Sequence, residues 1–248
     1  MPAEKATGIV IRTSDWSETS RIATFFTREF GKVRALAKGG RRLKSNFEVA
    51  LDLLTVCNIV FLRKQSGLDL LTEARADERF SGLRSNLSAL YAGYYIAELL
   101  DLGTQDHDPH PNLFDEALGA LRDLHSLRQD ISARTMRFEL AWLHELGYRP
   151  RFDACAVCDD KLETCPTSPR GWTFSPTAGG LLCAKCETAP TDKRAVSDSA
   201  LEKLRQLDDP TRTMPSIAPL QRVELRQLLG HYVSHVLARR PKLLAYLE

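Results

Sequence analysis

Residues 19–37 have the sequence TSRIATFFTREFGKVRALA, in which two strand patterns flank a single glycine. Residues 19–27 are rich in Thr, Ile and Phe, residue types that suit a pleated and half-buried surface. After Gly31, small apolar side chains alternate with longer ones up to Ala37. The stretch therefore predicts two β-strands joined by a short turn at Gly31.

Three further strand patterns surround this pair. Residues 6–12 precede it, and apolar runs at residues 49–62 and 68–76 follow it. The last two runs are separated by Gln65-Ser66-Gly67, which is typical of a hairpin turn. Five short strands in about 75 residues suit a small barrel of the oligonucleotide-binding (OB) type, although an open sheet or an SH3-like barrel would give a similar pattern.

From Phe80 onwards, apolar residues recur every three or four positions, which is the period of an amphipathic helix. The predicted helices cover residues 80–103, a segment after Pro111 with Leu113, Ala117, Leu121 and Leu124 on one face, residues 131–146 up to Gly147, a segment with the capping box Ser199-Ala200-Leu201-Glu202, and residues 220–237. The predicted fold is α+β. A five-stranded OB-type β-barrel at residues 1–79 precedes an all-helical domain at residues 80–248, which carries an inserted four-cysteine zinc ribbon at residues 153–189.

Two C-x-x-C pairs, Cys155 with Cys158 and Cys183 with Cys186, are separated by 24 residues. Each pair can present two sulfurs to one ion, and two pairs complete a tetrahedron. Four thiolates close the coordination sphere and leave no position for a reactive water. The spacing predicts one structural Zn²⁺. The alternatives are four unrelated buried cysteines or a redox pair.

Two other cysteines have a different context. Cys165 lies between the pairs and would be a substitute ligand, whereas Cys57 lies in an apolar strand and is interpreted as a core residue.

Positive charge is concentrated in the strand region. The whole chain has a formal net charge of +2, but residues 28–44 contain seven Lys and Arg against the single acid Glu29. Residues 38–46, KGGRRLKSN, combine glycines, which let a backbone approach phosphate, with arginines, which bind phosphate in a bidentate way. We predict a DNA-binding surface formed by Lys32, Arg34, Lys38, Gly39, Arg41, Arg42 and Lys44, with Trp16 available for base stacking. The alternative is a solvated turn.

No P-loop, dinucleotide-binding glycine motif or serine elbow occurs, and no catalytic residues are predicted. Two rival interpretations stay open, namely a zinc-dependent hydrolase or deaminase, and an interaction scaffold without DNA binding. An apolar signal region is absent from residues 1–5, and charges interrupt every apolar run. We expect a cytoplasmic protein without membrane association.

Several segments in this order resemble the RecO family of bacterial recombination mediators. They are residues 19–27, EFGK at 29–32, KGGRR at 38–42 with KS at 44–45, YIAELL at 95–100, DPHPNLF at 108–114, LGYRP at 146–150, the first cysteine pair, FSP at 174–176 and GGLLC at 179–183. Residues 50–54 depart from the Leu-x-Pro-Phe pattern of that family.

This resemblance implies an N-terminal OB fold, a helical C-terminal domain and a zinc ribbon. It also implies a function in DNA repair and homologous recombination: binding of single- and double-stranded DNA, annealing of complementary strands, and partnership with RecR. It further implies help for RecA in replacing single-strand-binding protein, and hence association with the nucleoid.

Overall fold

The computed structural model describes residues 2–41, 47, 49–127, 129–164, 171–188 and 190–247. By backbone contacts the chain divides into two compact units, Met1–Leu127 and Arg128–Glu248. The first unit contains the strands at the start of the chain and the first two helices. The second contains three helices and a small sheet.

Five strands of the first unit form a closed barrel in the order β1-β2-β3-β5-β4. Their bounds are β1 Ala3–Asp15, β2 Arg21–Thr27, β3 Gly31–Ala37, β4 Val56–Leu62 and β5 Asp69–Glu78. Neighbouring strands are antiparallel except for β3 and β5, whose parallel pairing closes the barrel. The prediction of a five-stranded OB-type barrel is confirmed.

The barrel interior is built from alternate residues of these strands. Phe25, Val33, Ala35 and Phe61 are completely buried, whereas Arg34, between two of them, points outwards and is exposed. This alternation follows from the two-residue period of a strand, which sends successive side chains to opposite faces. Burial of these apolar side chains gives the barrel its main stabilising contribution.

The strand predicted at residues 49–62 is wrong in its first half, because β4 begins only at Val56. Residues 49–54 form turns, and Leu54 has a positive φ of 66°. Ala50, Leu51 and Leu54 are nonetheless buried, and the first two belong to the barrel core together with Phe47. These apolar residues are therefore buried in a compact turn. An apolar run that lacks the two-residue period of a strand does not by itself indicate a strand.

The first predicted helix also begins later than expected. Ser81–Ser85 forms a 3-10 turn, and the α-helix α1 covers Leu87–Gly103. The side chain of Asn86 accepts a hydrogen bond from the backbone N–H of Ala89 at 3.0 Å and caps the helix. The cap at Asn86 starts a separate helix. The apolar period that runs on from Phe80 therefore predicted a helix that is longer than α1.

The second helix, α2, covers Pro111–Ser126, with Pro111 in its first turn. It buries the predicted stripe of Leu113, Ala117, Leu121 and Leu124, so this prediction is confirmed. Both α1 and α2 contact strands of the barrel. The first compact unit therefore extends beyond residue 79, and the division of the chain into domains at that residue stays a prediction.

The second unit contains α3 Ile131–Glu145, α4 Asp198–Asp208 and α5 Pro219–Val236. Gly147, with a φ of 82°, follows α3 as predicted. The capping box predicted at Ser199 is wrong, because α4 is capped two residues earlier. Ser197 accepts the backbone N–H of Ala200 at 3.2 Å.

A three-stranded antiparallel sheet in the order β7-β6-β8 completes the second unit. Its strands are β6 Trp172–Ser175, β7 Gly180–Leu182 and β8 Arg194–Val196. The second cysteine pair begins immediately after β7. None of the described helices is both long enough and apolar enough to span a membrane.

Candidate metal centre and nucleic-acid interface

The four cysteines of the two C-x-x-C pairs come together in the second unit. The Sγ atoms of Cys155, Cys158, Cys183 and Cys186 all lie within 4.8 Å of one another. Cys158 Sγ and Cys183 Sγ, from different pairs, are 3.7 Å apart. Zn–S bonds of about 2.3 Å in a regular tetrahedron place sulfurs roughly 3.8 Å apart. The cluster therefore has the dimensions of a four-sulfur metal centre.

Both pairs lie in tight turns closed by backbone hydrogen bonds. The N–H of Asp159 donates to Cys155 O at 3.0 Å, and the N–H of Cys186 donates to Cys183 O at 2.9 Å. The N–H of Cys183 also donates to Cys155 Sγ at 3.4 Å, which links the two turns. Such turns position both sulfurs of a pair on the same side, as metal binding requires.

The environment of Cys155 favours its thiolate. Burial of this side chain raises its pKa, but backbone N–H groups of Cys158, Cys183 and Val157 bond to the sulfur and lower the pKa to about 6. A thiolate is the form that binds metal. Four sulfurs within 4.8 Å of one another form a donor set that fits one soft cation without any other ligand type.

The first pair is also anchored to a helix of its own unit. Arg205 in α4 donates two hydrogen bonds, from Nε at 3.1 Å and from Nη2 at 2.7 Å, to the main-chain oxygen of Phe152. Phe152 precedes the first cysteine by three positions and contacts the ring of Phe174 in β6. Order at the metal centre is therefore coupled to the packing of α4 and the small sheet.

The two remaining cysteines differ from this cluster. Cys165 lies outside the described residues, so its predicted role as a substitute ligand stays a prediction. Cys57 is fully buried in the barrel, where its thiol donates to Ala50 O at 2.8 Å. Burial, followed by the charge of Asp77, raises the pKa of Cys57 to about 12. The core interpretation of Cys57 agrees with this position.

In the first unit, the basic turn after β3 lies beside the loop between β1 and β2. Arg41 connects them, because its Nη1 donates to Ser17 O at 2.6 Å and its backbone N–H donates to Thr19 O at 3.1 Å. Lys38 is exposed in the same turn, and Gly39 has a φ of 74°, which a residue with a Cβ adopts only under strain. The predicted residues Lys38, Gly39 and Arg41 thus share one surface.

Trp16 lies in the neighbouring loop and is 63% exposed. An indole so exposed next to cations is available to stack on a nucleic-acid base. Phe47, in contrast, is buried in the barrel core, and Phe30 packs edge-on against Phe61 with ring centres 5.6 Å apart. Trp16 is the aromatic side chain that this surface offers to a ligand.

Arg21 belongs to the same surface, although the sequence analysis did not select it. Arg21 Nε lies 3.3 Å from Asp15 Oδ1, and Arg41 Nη2 lies 3.4 Å from Asp15 Oδ2. Two guanidinium groups therefore share one carboxylate, which leaves a net positive charge. The pairing of Arg21 with Ala37 across β2 and β3 brings it there, and this register is the signal that the linear sequence lacks.

Lys32 occupies a position that does not suit the predicted phosphate contact. It is only 8% exposed, and its Nζ donates to the main-chain oxygens of Asp101 and Thr104 at 2.7 Å each. These acceptors belong to the C-terminal end of α1, where a cation is stabilised by free carbonyl groups. Lys32 therefore holds α1 on the barrel, and its predicted contact with DNA stays a prediction.

The other predicted cations have separate positions. Arg34 is half exposed, and its Nη1 lies 3.6 Å from Asp106 Oδ2, in the loop after α1. It is an outward-facing residue of β3, further from the turn than Lys38. Arg42 and Lys44 lie outside the described residues, and their predicted contacts with DNA stay predictions.

The chain matches two family models that together cover nearly its whole length. The model described as "Recombination protein O N terminal" matches residues 1–80, and the one described as "Recombination protein O C terminal" matches residues 84–245. The resemblance noted from the sequence is confirmed.

Curated relatives agree with these matches. A DNA repair protein RecO of Rhodopirellula baltica is 36% identical over 96% of this chain and 97% of its own length. A DNA repair protein RecO of Roseiflexus is 33% identical over 97% of this chain and 83% of its own length. A third RecO protein, from Anaeromyxobacter dehalogenans, is 33% identical over 97% of this chain and 94% of its own length. The chain has the barrel and helical segments of a DNA recombination protein. It belongs to the RecO family.

Proposed function

We propose that this protein binds single- and double-stranded DNA and anneals complementary strands during repair and homologous recombination. With RecR it helps to load RecA on DNA coated by single-strand-binding protein. The observation that carries the DNA-binding part is the link between Arg41 and Ser17, which places exposed Trp16 beside the basic turn. Family membership supports the repair pathway.

Annealing at this surface needs no covalent step. Cations that neutralise phosphates let two strands approach, and stacking on Trp16 tolerates every base because each base has a π-face. Lys38, Arg41 and Arg21 supply the charge, and Arg42 and Lys44 extend it in the sequence. The surface should therefore bind with little sequence preference, since phosphate contacts position a strand without reading it.

The cysteine cluster has a structural role in this proposal. One Zn²⁺ bound by Cys155, Cys158, Cys183 and Cys186 would hold the insert at residues 153–189 against the helical domain at residues 80–248. Four sulfurs leave no open position on the ion, so the centre lacks the means to activate water. We accordingly assign no enzymatic activity to the protein and place it in the cytoplasm, in association with the nucleoid.

A salt series on the whole protein tests DNA binding. Replacement of Arg41, Arg42 and Lys44 by Ala removes up to three phosphate contacts, each worth about 0.7 in the log–log salt slope on single strands. The expected result is a slope shallower by roughly 2, with weaker annealing and unchanged metal content. Parental binding and annealing by this variant would show that the basic turn is only solvated.

The rival functions predict different outcomes. An interaction scaffold would show no salt-dependent DNA binding in the parent protein. A hydrolase or deaminase would show turnover that disappears on a single substitution, such as Cys158→Ser, while this variant still binds DNA as tightly as the parent protein.

A further inference from the structure

A cleft of about 300 Å³ lies in the first unit, between the turns before β4, the 3-10 turn after β5 and α1. Among the described residues, three cations line it, Arg21, Arg79 and Arg84, together with a single acid, Asp52. None of the residues predicted from the sequence to bind DNA lines this cleft, but Arg21 belongs both to the cleft and to the surface of the basic turn.

The charge of the cleft is unbalanced. Arg79 Nη2 lies 3.7 Å and Arg84 Nη2 lies 3.4 Å from the same atom, Asp52 Oδ2. Each contact is long, and both arginine side chains are more than half exposed. A guanidinium has five N–H donors, so one distant carboxylate oxygen leaves most donors of both groups for another anion. Phosphate is an anion that two arginines can bind in a bidentate way.

The cleft also has a wall that suits a nucleic-acid base. Leu90 and Tyr94 of α1 line it and are partly exposed, and Leu53 at its edge is 40% exposed. An aromatic ring beside paired cations is the combination that proteins use for single strands. The volume of the cleft is at the lower end of the range for ligand sites, roughly 300–1,000 Å³, and suits a single nucleotide.

The cleft is continuous with the basic turn through Arg21. This residue lines the cleft and shares Asp15 with Arg41, whereas Arg79 and Arg84 share Asp52, so four guanidinium groups are balanced by two carboxylates. We propose that the cleft holds one nucleotide of a single nucleic-acid strand, with Arg79 and Arg84 on its phosphate and Tyr94 beside its base. This inference rests on the proposed DNA binding and extends the path of the strand beyond the basic turn.

The test compares charge variants of the whole protein in salt titrations with single-stranded and duplex DNA. The double variant Arg79→Ala/Arg84→Ala should bind a single strand about tenfold more weakly at low salt, with a slope shallower by about 1.4, since each lost contact removes about 0.7. Its affinity for duplex should stay parental. Asp52→Asn should act in the opposite direction and raise single-strand affinity, because it removes the only acid of the described cleft lining.

Arg122→Ala is the matched control. Arg122 is in the same unit and similarly exposed, but it pairs with Glu78 at 2.9 Å and does not line the cleft. It should bind both DNA forms as the parent does. Thermal unfolding of each variant checks that the first unit stays folded. A bromodeoxyuridine-substituted single strand should crosslink to Tyr94 on irradiation.

The outcomes separate this inference from the proposed function. If the Arg79/Arg84 variant binds single strands like the parent while the Arg41/Arg42/Lys44 variant is weakened, the DNA function stands and the cleft is not part of it. If the parent binds no DNA, the proposed function itself is wrong. If the variant loses only the binding of a short poly-glutamate peptide, the cleft is a site for acidic peptides and our inference is overturned.

Discussion

The guanidinium of Arg41 donates a 2.6 Å hydrogen bond to the main-chain oxygen of Ser17. This bond ties the basic turn after β3 to the loop that exposes Trp16, although the two residues are separated by 24 positions in the chain. Charge and an aromatic ring are thereby presented on one surface. The first prediction concerns this ring.

Trp16→Ala should weaken single-strand binding by about tenfold, since stacking of one base contributes on the order of 1–3 kcal/mol. Duplex binding should change little, because paired bases are not available to stack. Single-stranded DNA should also quench the parental tryptophan fluorescence. Trp142 is fully buried, and Trp172 Nε1 donates to Asp198 in the second unit, so Trp172→Phe is the control that keeps this quenching. Equal single-strand affinity of parent and Trp16→Ala would rule out stacking.

Cys155→Ser and Cys183→Ser should each lose bound zinc, as measured by elemental analysis, because three sulfurs do not close the tetrahedron. Structural zinc contributes roughly 10–16 kcal/mol in small modules, so hydrogen exchange should accelerate across residues 150–190. Chelation of the parent protein should produce the same change. Cys57→Ala serves as the control and should keep its full metal content, because Cys57 belongs to the barrel core. Metal-free parent protein, freshly purified, would contradict the assignment.

Lys32→Met should lower the free energy of unfolding by about 1–3 kcal/mol, because two carbonyl groups at the end of α1 lose their donor. Urea denaturation measures this change. Arg34→Ala, a half-exposed neighbour on the same strand, should cost less than about 0.5 kcal/mol. The salt slope of DNA binding should be the same in Lys32→Met as in the parent. A shallower slope would restore Lys32 to the DNA surface.

Gly31→Ala should destabilise the first unit by more than about 2 kcal/mol. Its φ is +64°, and a Cβ would lie 1.9 Å from the main-chain oxygen of Asp108, so backbone would have to move. Gly67→Ala separates the two causes, because its φ is +79° but a Cβ there meets nothing within 4 Å. We expect about 1 kcal/mol for Gly67→Ala from backbone strain alone. Equal losses in the two variants would show that close packing at Gly31 contributes nothing.

Predictions from local sequence patterns were correct where a pattern is compatible with only one kind of secondary structure. The two-residue alternation after Gly31 became β3, and the stripe from Leu113 to Leu124 became the buried face of α2. They failed where a pattern has two meanings. Ala50, Leu51 and Leu54 are buried in turns and not in a strand, and the apolar period from Phe80 crosses the cap of α1 at Asn86.

The sequence by itself determined the strand-rich start of the chain, most of the helices after it and the pairing of cysteines, because strand alternation, helical period and C-x-x-C spacing are local properties. Family membership followed from segments of the same kind. Only the tertiary structure decided which cations face solvent. Lys32 and Lys38 look alike in the chain, but the packing of α1 buries the first and leaves the second exposed. Arg21, Arg79 and Arg84 meet at one cleft because barrel closure and the packing of α1 bring distant residues together, and no local pattern encodes that proximity.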